Sequence, residues 1–336
     1  MRSPDITVLM PVYNGARFLA AAIDSILQQT FGDLELLAIN DGSYDQTAEI
    51  LARYRDRRVR VVTNKRNVGL ITTLNRGLDL ARGRFVARMD ADDISLPKRL
   101  ETQLAFLLRN PEVGVCGTWF RTIGNGASRV VRPPYSPNIV SAHAFFYCPL
   151  AHPSVMFRRE MLERHALRYD PTALHAEDYD LWVRALEYFS VANVPEVLLE
   201  YRVHGAQVSA LSVQSQSQTT DRVRRKQLDR LFPNATSEEI ALHLKICKFE
   251  AISGVNELLS ARAWLDRLSA FNEERKVYDR PAFGDALGQM WYETALRGVA
   301  MAPKARRVYF SRHYGGLSKA ALVRDAKFLA HAIAHR

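Results

Sequence analysis

Short apolar runs alternate with amphipathic segments along the first third of this 336-residue chain. Ile6–Met10 and Leu34–Ile39 are apolar runs short enough to be buried strands, and Arg60–Val62 and Phe85–Met89, a run with β propensity, are predicted as two further strands. Strands that alternate with helices at this interval indicate a parallel sheet with right-handed crossovers. The sequence therefore predicts an α/β fold with a mostly parallel central sheet and flanking helices.

The four predicted strands all end in polar, turn-forming residues. Ligands of open α/β sheets bind beyond the carboxyl ends of the strands, so these residues should converge on one edge. An aromatic ring, carboxylates and cations at that edge suit the base, metal and phosphates of a nucleoside diphosphate. The strand ends carry, in order, Pro11, Val12, Tyr13 and Asn14; Asn40, Asp41 and Gly42; Asn64, Lys65, Arg66 and Asn67; and Asp90, Ala91 and Asp92. A dinucleotide site is not indicated, because no GxGxxG pattern follows the first strand.

Three carboxylates, Asp90, Asp92 and Asp93, lie close together in the stretch Phe85–Pro97. Like charges at this spacing need solvent, cationic neighbours or a metal. A bend at the strand end would aim Asp90 and Asp92 at one divalent cation, which takes oxygen ligands from protein and phosphate together. The alternative is an exposed acidic turn before the next helix, with Asp93 or Ser95 as the helix cap.

Further along, the pattern of strands and helices becomes less regular. His152 precedes a strand-like run, and Glu177, Asp178 and Asp180 come just before a predicted helix over Leu181–Tyr188. Each of these three acids is a candidate for acid–base chemistry, and each is also a candidate helix cap.

With both acidic clusters in view, the chain resembles the family 2 glycosyltransferases, which have the glycosyltransferase A fold. The resemblance runs from Ile6 to about Ser209. Seven motifs carry it, in this order: PVYN (Pro11–Asn14), NDGSYDQT (Asn40–Thr47), NVGL (Asn67–Leu70), MDADD (Met89–Asp93) with the later LPKRL, HPSVMFRR (His152–Arg159), AEDYDLWVR (Ala176–Arg184) and YRVHGAQVS (Tyr201–Ser209). One departure is Asn40, where family members often have an acid, whereas the following Asp41 is kept.

The resemblance implies a role for each donor-side residue. Tyr13 would stack on the nucleobase, and Asp41 would accept a hydrogen bond from the ring N–H. Asp90, Asp92 and His204 would hold Mn²⁺ or Mg²⁺ against the diphosphate, where a cation stabilises the charge on the leaving group. The further donor contacts implied are Pro11, Val12, Arg66, Asn67 and Ala91.

On the acceptor side, the resemblance selects Asp178 as the general base, which takes the proton of the attacking hydroxyl. His152, Glu177 and Trp182 would line the acceptor pocket. The family is inverting, because a single in-line displacement inverts the anomeric centre.

Several of these residues also have plain structural interpretations. Tyr13 could pack against the sheet edge, and Trp182 could belong to the core. Lys65 and Arg66 could be a solvated pair that follows a basic run, and His204 could be a structural histidine with satisfied hydrogen bonds.

The composition changes after residue 211. Residues 212–220 are rich in Gln, Ser and Thr and are interpreted as a linker. Helical patterns follow over residues 221–231, 237–250, 255–271, 283–301 and 317–334. We therefore expect a glycosyltransferase A catalytic domain over residues 1–210 and an α-helical appendage over residues 221–336.

The net charge of +10 is concentrated near the C-terminus, where residues 297–336 hold nine Lys/Arg and one acid, Asp325. No nucleic-acid motif occurs, and the excess charge lies outside the main fold, so nucleic acid is not an expected partner. In the helix predicted over 317–334, one face carries Leu322, Ala326, Leu329 and Ile333, and the other carries Arg324, Lys327, His331 and His335. Such a helix would either lie on anionic lipid or pack on its neighbours with a solvated basic face.

The three cysteines, Cys116, Cys148 and Cys247, are widely spaced and match no zinc pattern. They indicate a reducing compartment, and no run of 18 apolar residues occurs. The expected location is the cytoplasm, with the inner face of the plasma membrane as an option.

These observations predict a metal-dependent, inverting glycosyltransferase that moves a sugar from a nucleotide donor to a hydroxyl of a saccharide or lipid-linked acceptor, with UDP as the expected nucleotide. The expected setting is the synthesis of cell-surface polysaccharide or glycolipid. Two alternatives are a sugar-phosphate nucleotidyltransferase and a nucleotide-sugar-binding protein without turnover. The first normally has a Gly-rich phosphate loop where this chain has PVYNGARF, and the intact acids Asp90, Asp92 and Asp178 count against the second.

Overall fold

The computed structural model describes residues 3–205, 213–297, 308–310, 314 and 322–328. The chain divides into two compact units, which are described separately below. The first comprises Met1–Pro137 and Cys148–Thr220, and the second comprises Asn138–Tyr147 and Asp221–Arg336. Residues 138–147, which the sequence pattern assigns to the catalytic domain, therefore belong to the helical unit.

The described residues of the first unit form one nine-stranded sheet. Its strands are β1 (Ile6–Val12), β2 (Leu34–Asn40), β3 (Val59–Thr63), β4 (Phe85–Arg88), β5 (Ile94–Ser95), β6 (Val113–Gly124), β7 (Val130–Val131), β8 (Met156–Arg158) and β9 (Ser190–Val203). The strand order is β3-β2-β1-β4-β8-β6-β9-β5, and β7 pairs with β6. The long ladders β1–β2, β2–β3, β1–β4 and β6–β9 are parallel, whereas β8 runs antiparallel to β4 and β6. The predicted α/β class with a mostly parallel sheet is confirmed.

Helices flank this sheet. They are α1 (Leu19–Leu27), α2 (Thr47–Arg53), α3 (Leu70–Leu80), α4 (Arg99–Arg109), α6 (Arg159–Arg164) and α7 (Glu177–Ala185), and a 3₁₀ turn covers His152–Ser154. Helix α5 (Pro137–Ala144) belongs to the second unit from its second residue on. The prediction that the acids precede a helix over 181–188 is wrong, because α7 begins at Glu177 and holds all three in its first turn. Acidic side chains are favourable there, since the helix dipole is positive at its N-terminus.

Strands β1 and β2 form the centre of the core, and every residue in both is buried. Their runs are apolar on both faces because helices cover both faces of a parallel sheet. Strand β3 is partly exposed, as its position at the edge requires. The backbone is tightly packed where the chain enters β4: a Cβ on Gly83 would lie 2.4 Å from the backbone nitrogen of Thr7.

The second unit is built from helices. They are α8 (Val213–Leu231), which begins in the first unit, α9 (Ser237–Cys247), α10 (Val255–Arg275) and α11 (Arg280–Arg297). The prediction of a linker is wrong for residues 213–220, which belong to α8. Phe145 and Phe146 are fully buried in the core of this unit, where both rings contact His243 and Phe283.

Of the basic helix predicted over 317–334, only residues 322–328 are described, and they are helical. Arg324 on the predicted basic face is buried and forms an ion pair of 2.9 Å with Asp285. Phe328 is fully buried and stacks on Tyr309, whereas Leu322 is exposed. Part of the basic face is thus neutralised within the protein. None of the described helices has the combination of length and apolarity needed to cross a membrane.

We predict that Gly83→Ala destabilises the first unit by about 1–3 kcal/mol, because the added methyl group would overlap backbone atoms that cannot move independently. Thermal unfolding monitored by circular dichroism measures this effect. Gly32→Ala is the matched control, since a Cβ at Gly32 meets no described atom within 4 Å. Equal melting temperatures for the two variants would contradict the prediction.

Candidate active site

The loops that follow β1 and β2 are joined by hydrogen bonds from main chain to side chain. The amide of Asn14 donates to Ser43 Oγ (2.9 Å), and the amide of Tyr44 donates to Asn14 Oδ1 (3.1 Å). Asn14 itself has a positive φ of 49°, which asparagine tolerates better than most residues. The result is a defined edge at the carboxyl ends of these two strands, as predicted.

Two aromatic rings project from this edge. Tyr13 is 47% exposed and Tyr44 is 84% exposed, and their rings meet edge to face with centroids 6.2 Å apart. An exposed aromatic face of this kind can stack on another ring, such as a nucleobase. Pro11 and Val12 belong to β1 and are buried, so their side chains are part of the core. Tyr44 was not among the site residues predicted from the sequence.

Asp41 is almost completely buried and holds the loop that leads into α3. Its Oδ1 accepts hydrogen bonds from Asn64 Nδ2 (2.7 Å) and the amide of Val68 (3.0 Å), and its Oδ2 accepts from the amide of Gly69 (3.0 Å). The carboxylate therefore has a structural function that the sequence pattern does not reveal, and its contact with a base stays a prediction. Lys65, Arg66 and Asn67 are exposed on the same loop.

The acids after β4 form a cluster in which oxygens of Asp90, Asp92 and Asp93 lie within 4.8 Å of one another. Asp90 forms an ion pair of 2.5 Å with Arg88, and Asp92 lies 2.8 Å from His204 Nε2. Asp93 is fully buried, and its Oδ1 accepts a hydrogen bond from the amide of Arg202 (2.7 Å). Its Oδ2 is buried with no hydrogen-bond partner in the described part of the chain.

The alternative of an exposed acidic cap is wrong. Helix α4 begins at Arg99, its N-cap is Lys98, and no described side chain caps it. Asp93 lies instead in the acidic cluster, and burial, together with the charges of Asp90 and Asp92, raises its pKa well above the usual range. Buried like charges with an unpaired oxygen are the arrangement that a divalent cation stabilises. The sequence signal for Asp93 is the third acid in MDADD, which the resemblance does not assign to the metal.

The second group of acids lies in the first turn of α7. The three residues differ in burial and in their partners, which the sequence alone does not reveal. Asp180 is buried and paired with Arg184 at 2.8 Å, so it has a structural role. Glu177 is buried, with Oε1 3.7 Å from His152 Nδ1. Asp178 is the acid of the three that is partly exposed.

Burial determines the protonation of this region. It raises the pKa of Glu177 to about 7, with a further contribution from the charge of Asp178. Burial also raises the pKa of Asp178, although the amide of Tyr179, which donates to its Oδ1 (2.7 Å), opposes the rise. Desolvation holds the pKa of His152 well below its usual value, so this imidazole is neutral at neutral pH. Carboxyl groups with a pKa raised toward neutrality are suited to accepting a proton.

The predicted acceptor residues differ in accessibility. Trp182 is fully buried between Phe157 and His152, with ring centroids 5.5 Å and 6.2 Å away, so the core interpretation applies and its predicted place on the acceptor surface does not. His152 is largely buried, and its Nε2 lies 2.9 Å from the hydroxyl of Tyr169. Its contact with an acceptor stays a prediction.

Arg88 is a central residue that sequence reasoning missed. Its side chain is 4% exposed, and its charge opposes the effect of burial on the pKa of Asp90, Glu177 and Asp178 alike. Both acidic groups are therefore under the influence of one buried cation. The signal in the sequence was a charged residue inside an otherwise apolar strand.

A glycosyltransferase A fold with acids at the end of β4 and in α7 is the architecture of a nucleotide-sugar transferase. The family model for "Glycosyl transferase family 2" matches residues 7–165. The O-antigen biosynthesis glycosyltransferase WbnJ of Escherichia coli is 34% identical over 217 residues, which are 62% of this chain and 84% of WbnJ. The chain belongs to glycosyltransferase family 2, as the sequence predicted, and this excludes the nucleotidyltransferase alternative.

Two solved structures share the fold. TarS 1-349 of S. aureus, in complex with UDP, has a TM-score of 0.56 at 17% identity, and the match covers 98% of this chain and 90% of TarS 1-349. The mannosyltransferase PcManGT of Pyrobaculum calidifontis, in complex with GDP-Man and Mn²⁺, has a TM-score of 0.54 at 17% identity, and the match covers 100% of this chain and 88% of PcManGT. At this identity the likeness concerns the fold alone.

We predict that Glu177→Gln changes how stability depends on pH. The pKa of Glu177 is about 7 in the folded state against 4.5 ordinarily, so its stabilising contribution is complete below pH 4.5 and is lost as pH rises through 7. Between pH 4.5 and 8, ionisation of Glu177 should lower the free energy of unfolding of the wild type by up to about 3 kcal/mol. The Glu177→Gln variant should not show this decrease, because Gln does not ionise.

Melting temperatures at several pH values between 4.5 and 8 measure the effect. Glu163→Gln is the control, because Glu163 is an exposed partner of Arg159. If the melting temperatures of wild type and Glu177→Gln remain parallel across this range, the buried carboxyl does not titrate as stated.

Proposed function

We propose that this enzyme is a metal-dependent, inverting glycosyltransferase that moves a sugar from a nucleotide-diphosphate donor to a hydroxyl of a saccharide or lipid-linked acceptor. The observation that carries the proposal is the pair of acidic groups: one clustered for a cation at the end of β4, and one in α7 with pKa values raised by burial. UDP is the proposed nucleotide, which the fold shared with UDP-bound TarS supports. A function in cell-surface polysaccharide synthesis is supported by the similarity to WbnJ.

The donor is proposed to bind along the edge formed by β1, β2 and β4. Tyr13 stacks on the base, and Asp41 fixes the loop that presents Arg66 and Asn67 to the donor. Backbone atoms of Pro11, Val12 and Ala91 complete the proposed contacts. The hydrogen bonds between the loops support this assignment, because they hold the edge in one conformation before a donor arrives.

The acidic cluster fits a divalent cation, Mn²⁺ or Mg²⁺. Asp90 and Asp92 offer carboxylate oxygens. Asp93 adds one buried oxygen that has no hydrogen-bond partner among the described residues. His204 lies next to these acids, with its Nε2 2.8 Å from Oδ2 of Asp92. A bound cation would stabilise negative charge on the leaving diphosphate as a Lewis acid. The PcManGT structure, which holds Mn²⁺ together with GDP-Man, supports the choice of metal class.

Asp178 is the proposed general base. It is the partly exposed acid of α7, so a bound acceptor can reach it, and its raised pKa favours uptake of a proton. The acceptor oxygen attacks the anomeric carbon, the bond from that carbon to the diphosphate oxygen breaks, and the hydroxyl proton passes to Asp178. One displacement inverts the anomeric configuration. His152 and Glu177 lie beside this position and are proposed to shape the acceptor site.

Contact with anionic lipid through residues 317–334 stays a prediction, since most of these residues lie outside the described part of the chain. Arg324 does not contribute a free charge to such a surface, because it is buried against Asp285. A cytoplasmic location likewise stays a prediction.

We predict that Asp178→Asn lowers the turnover number by about 100-fold or more, because the amide cannot accept the hydroxyl proton. Release of UDP from a panel of UDP-sugars in the presence of Mn²⁺ and candidate acceptors measures turnover. Binding of UDP, measured by calorimetry, should be unchanged. Asp79→Asn is the matched control, since Asp79 is an exposed carboxylate paired with Arg168. Turnover retained by Asp178→Asn would remove this residue from its proposed role.

We predict that Mn²⁺ with UDP raises the melting temperature of the wild type and that chelation with EDTA reverses the shift. A ligand at a hundredfold excess over its dissociation constant stabilises the folded state by roughly 2.7 kcal/mol. Asp92→Asn should abolish most of the shift caused by Mn²⁺. Asp56→Asn, which changes a surface partner of Arg58, should leave it intact. An equal shift in both variants would place the cation elsewhere.

A further inference from the structure

One side chain next to the proposed base has no part in the mechanism above. The thiol of Cys148 lies 3.6 Å from Oδ2 of Asp178 and 3.4 Å from the carbonyl oxygen of Leu150. Cys148 is partly exposed, whereas the other two cysteines, Cys116 and Cys247, are buried. Its position beside the partly exposed acid of α7 distinguishes it from an ordinary core cysteine.

The thiol has one proton and two acceptors within reach, so it donates to one of them at a time. An ionised carboxylate is a stronger acceptor than a backbone carbonyl. The S–H group therefore points to Asp178 when that residue is charged, and to Leu150 when it is protonated. Burial and the nearby charge of Asp178 raise the pKa of the thiol well above its usual value, so Cys148 stays protonated and remains a donor at neutral pH.

The two oxygens of Asp178 are thus held differently. Oδ1 accepts from the amide of Tyr179 at 2.7 Å, whereas Oδ2 lies 3.6 Å from the sulfur of Cys148. Sulfur is a weak donor, so it orients the carboxylate while removing little of its basicity. A hydroxyl in the same place would hold the carboxylate more strongly and stabilise its charged form further.

We propose that Cys148 is a positioning residue for sugar transfer: its thiol donates a hydrogen bond to Oδ2 of Asp178 and so fixes the orientation of that carboxylate toward the acceptor hydroxyl. The proposal rests on the function proposed for Asp178. It assigns no covalent chemistry to the sulfur, which transfers no group and changes no oxidation state.

The first test is the pH profile of turnover in the full chain. In Cys148→Ala the ionised form of Asp178 loses a donor, so the acidic limb of kcat/KM for the acceptor should move to higher pH by roughly half a unit. Cys148→Ser restores a donor and should return the limb to the wild-type position or below it. The KM for the donor should stay constant, because the donor edge does not include Cys148. A limb that is unmoved in Ala, or moved equally in Ala and Ser, would overturn the proposal.

The second test does not depend on activity. If the thiol and Asp178 interact, removal of the charge in Asp178→Asn must lower the pKa of Cys148. Alkylation of the native protein by iodoacetamide at pH 8, followed by peptide mass spectrometry, reports on Cys148 separately from the two buried cysteines. The rate should rise roughly threefold for each unit by which the thiol pKa falls, because the gain in thiolate is partly offset by weaker nucleophilicity. Asp79→Asn should leave the rate unchanged.

The two tests separate the inference from the function on which it rests. An unchanged alkylation rate in Asp178→Asn overturns the contact itself, whatever the turnover of that variant. A faster rate together with normal turnover in Asp178→Asn overturns the assignment of Asp178 as the base, and with it the positioning role. The proposal is supported if Asp178→Asn shows faster alkylation of Cys148 and loses turnover. It also requires that the acidic limb of kcat/KM shifts in Cys148→Ala and is restored in Cys148→Ser.

Discussion

The ion pair between Arg88 and Asp90 is the interaction on which the site depends. Carboxylates are costly to bury without compensation, and this chain buries or half-buries acids in two groups. Arg88 is the cation that opposes the effect of burial in both groups, and its backbone carbonyl accepts from Nη2 of a second buried guanidinium, Arg99, at 2.7 Å. Burial lowers the pKa of Arg99 to about 10, which still leaves it charged at neutral pH. The positive charges of Arg88 and Arg99 thus offset part of the cost of burying the acids at the end of β4.

The proposed donor edge is held in a similar way, with hydrogen bonds in place of charge. Asp41 uses both oxygens to hold the entry to α3, and Gly42 has a φ of +68° in a position where a Cβ would overlap the backbone of Arg66. The loops after β2 and β3 are therefore locked together by a carboxylate and a glycine. A rigid edge of this kind lowers the entropic cost of binding a donor, because the contacts are arranged in advance.

The strands and helices that alternate regularly along the first third of the chain could be predicted from the sequence. The shortest strands and the burial of individual side chains could not. Strands β1 to β4 could be predicted because each is a short run of strand-forming residues followed by turn residues. Strands β5 and β7 have two residues each, which is too short to show a period of two, whereas β8 overlaps the strand-like run predicted after His152. The first residues of α8 are polar and so suggest a linker, although Gln is a good helix former. The burial of individual side chains has no signal in the local sequence. For this reason the sequence did not show that Asp178 is partly exposed, that Glu177 is buried or that Trp182 lies in the core.

The two acidic groups differ in the contacts that stabilise the negative charge of each carboxylate. This difference fits the two proposed roles, binding of a cation and uptake of a proton. Asp93 is buried with one oxygen that has no hydrogen-bond partner in the described chain, so its charge is stabilised best by a cation brought from outside. Asp178 has an amide on one oxygen and a thiol near the other, both weaker than a cation, so its charge is tolerated without being strongly held. A group that binds a metal should stay ionised, whereas a base should exchange a proton near neutral pH. The donors that surround each carboxylate therefore suit the acids after β4 to the proposed metal site and Asp178 to the proposed role of base.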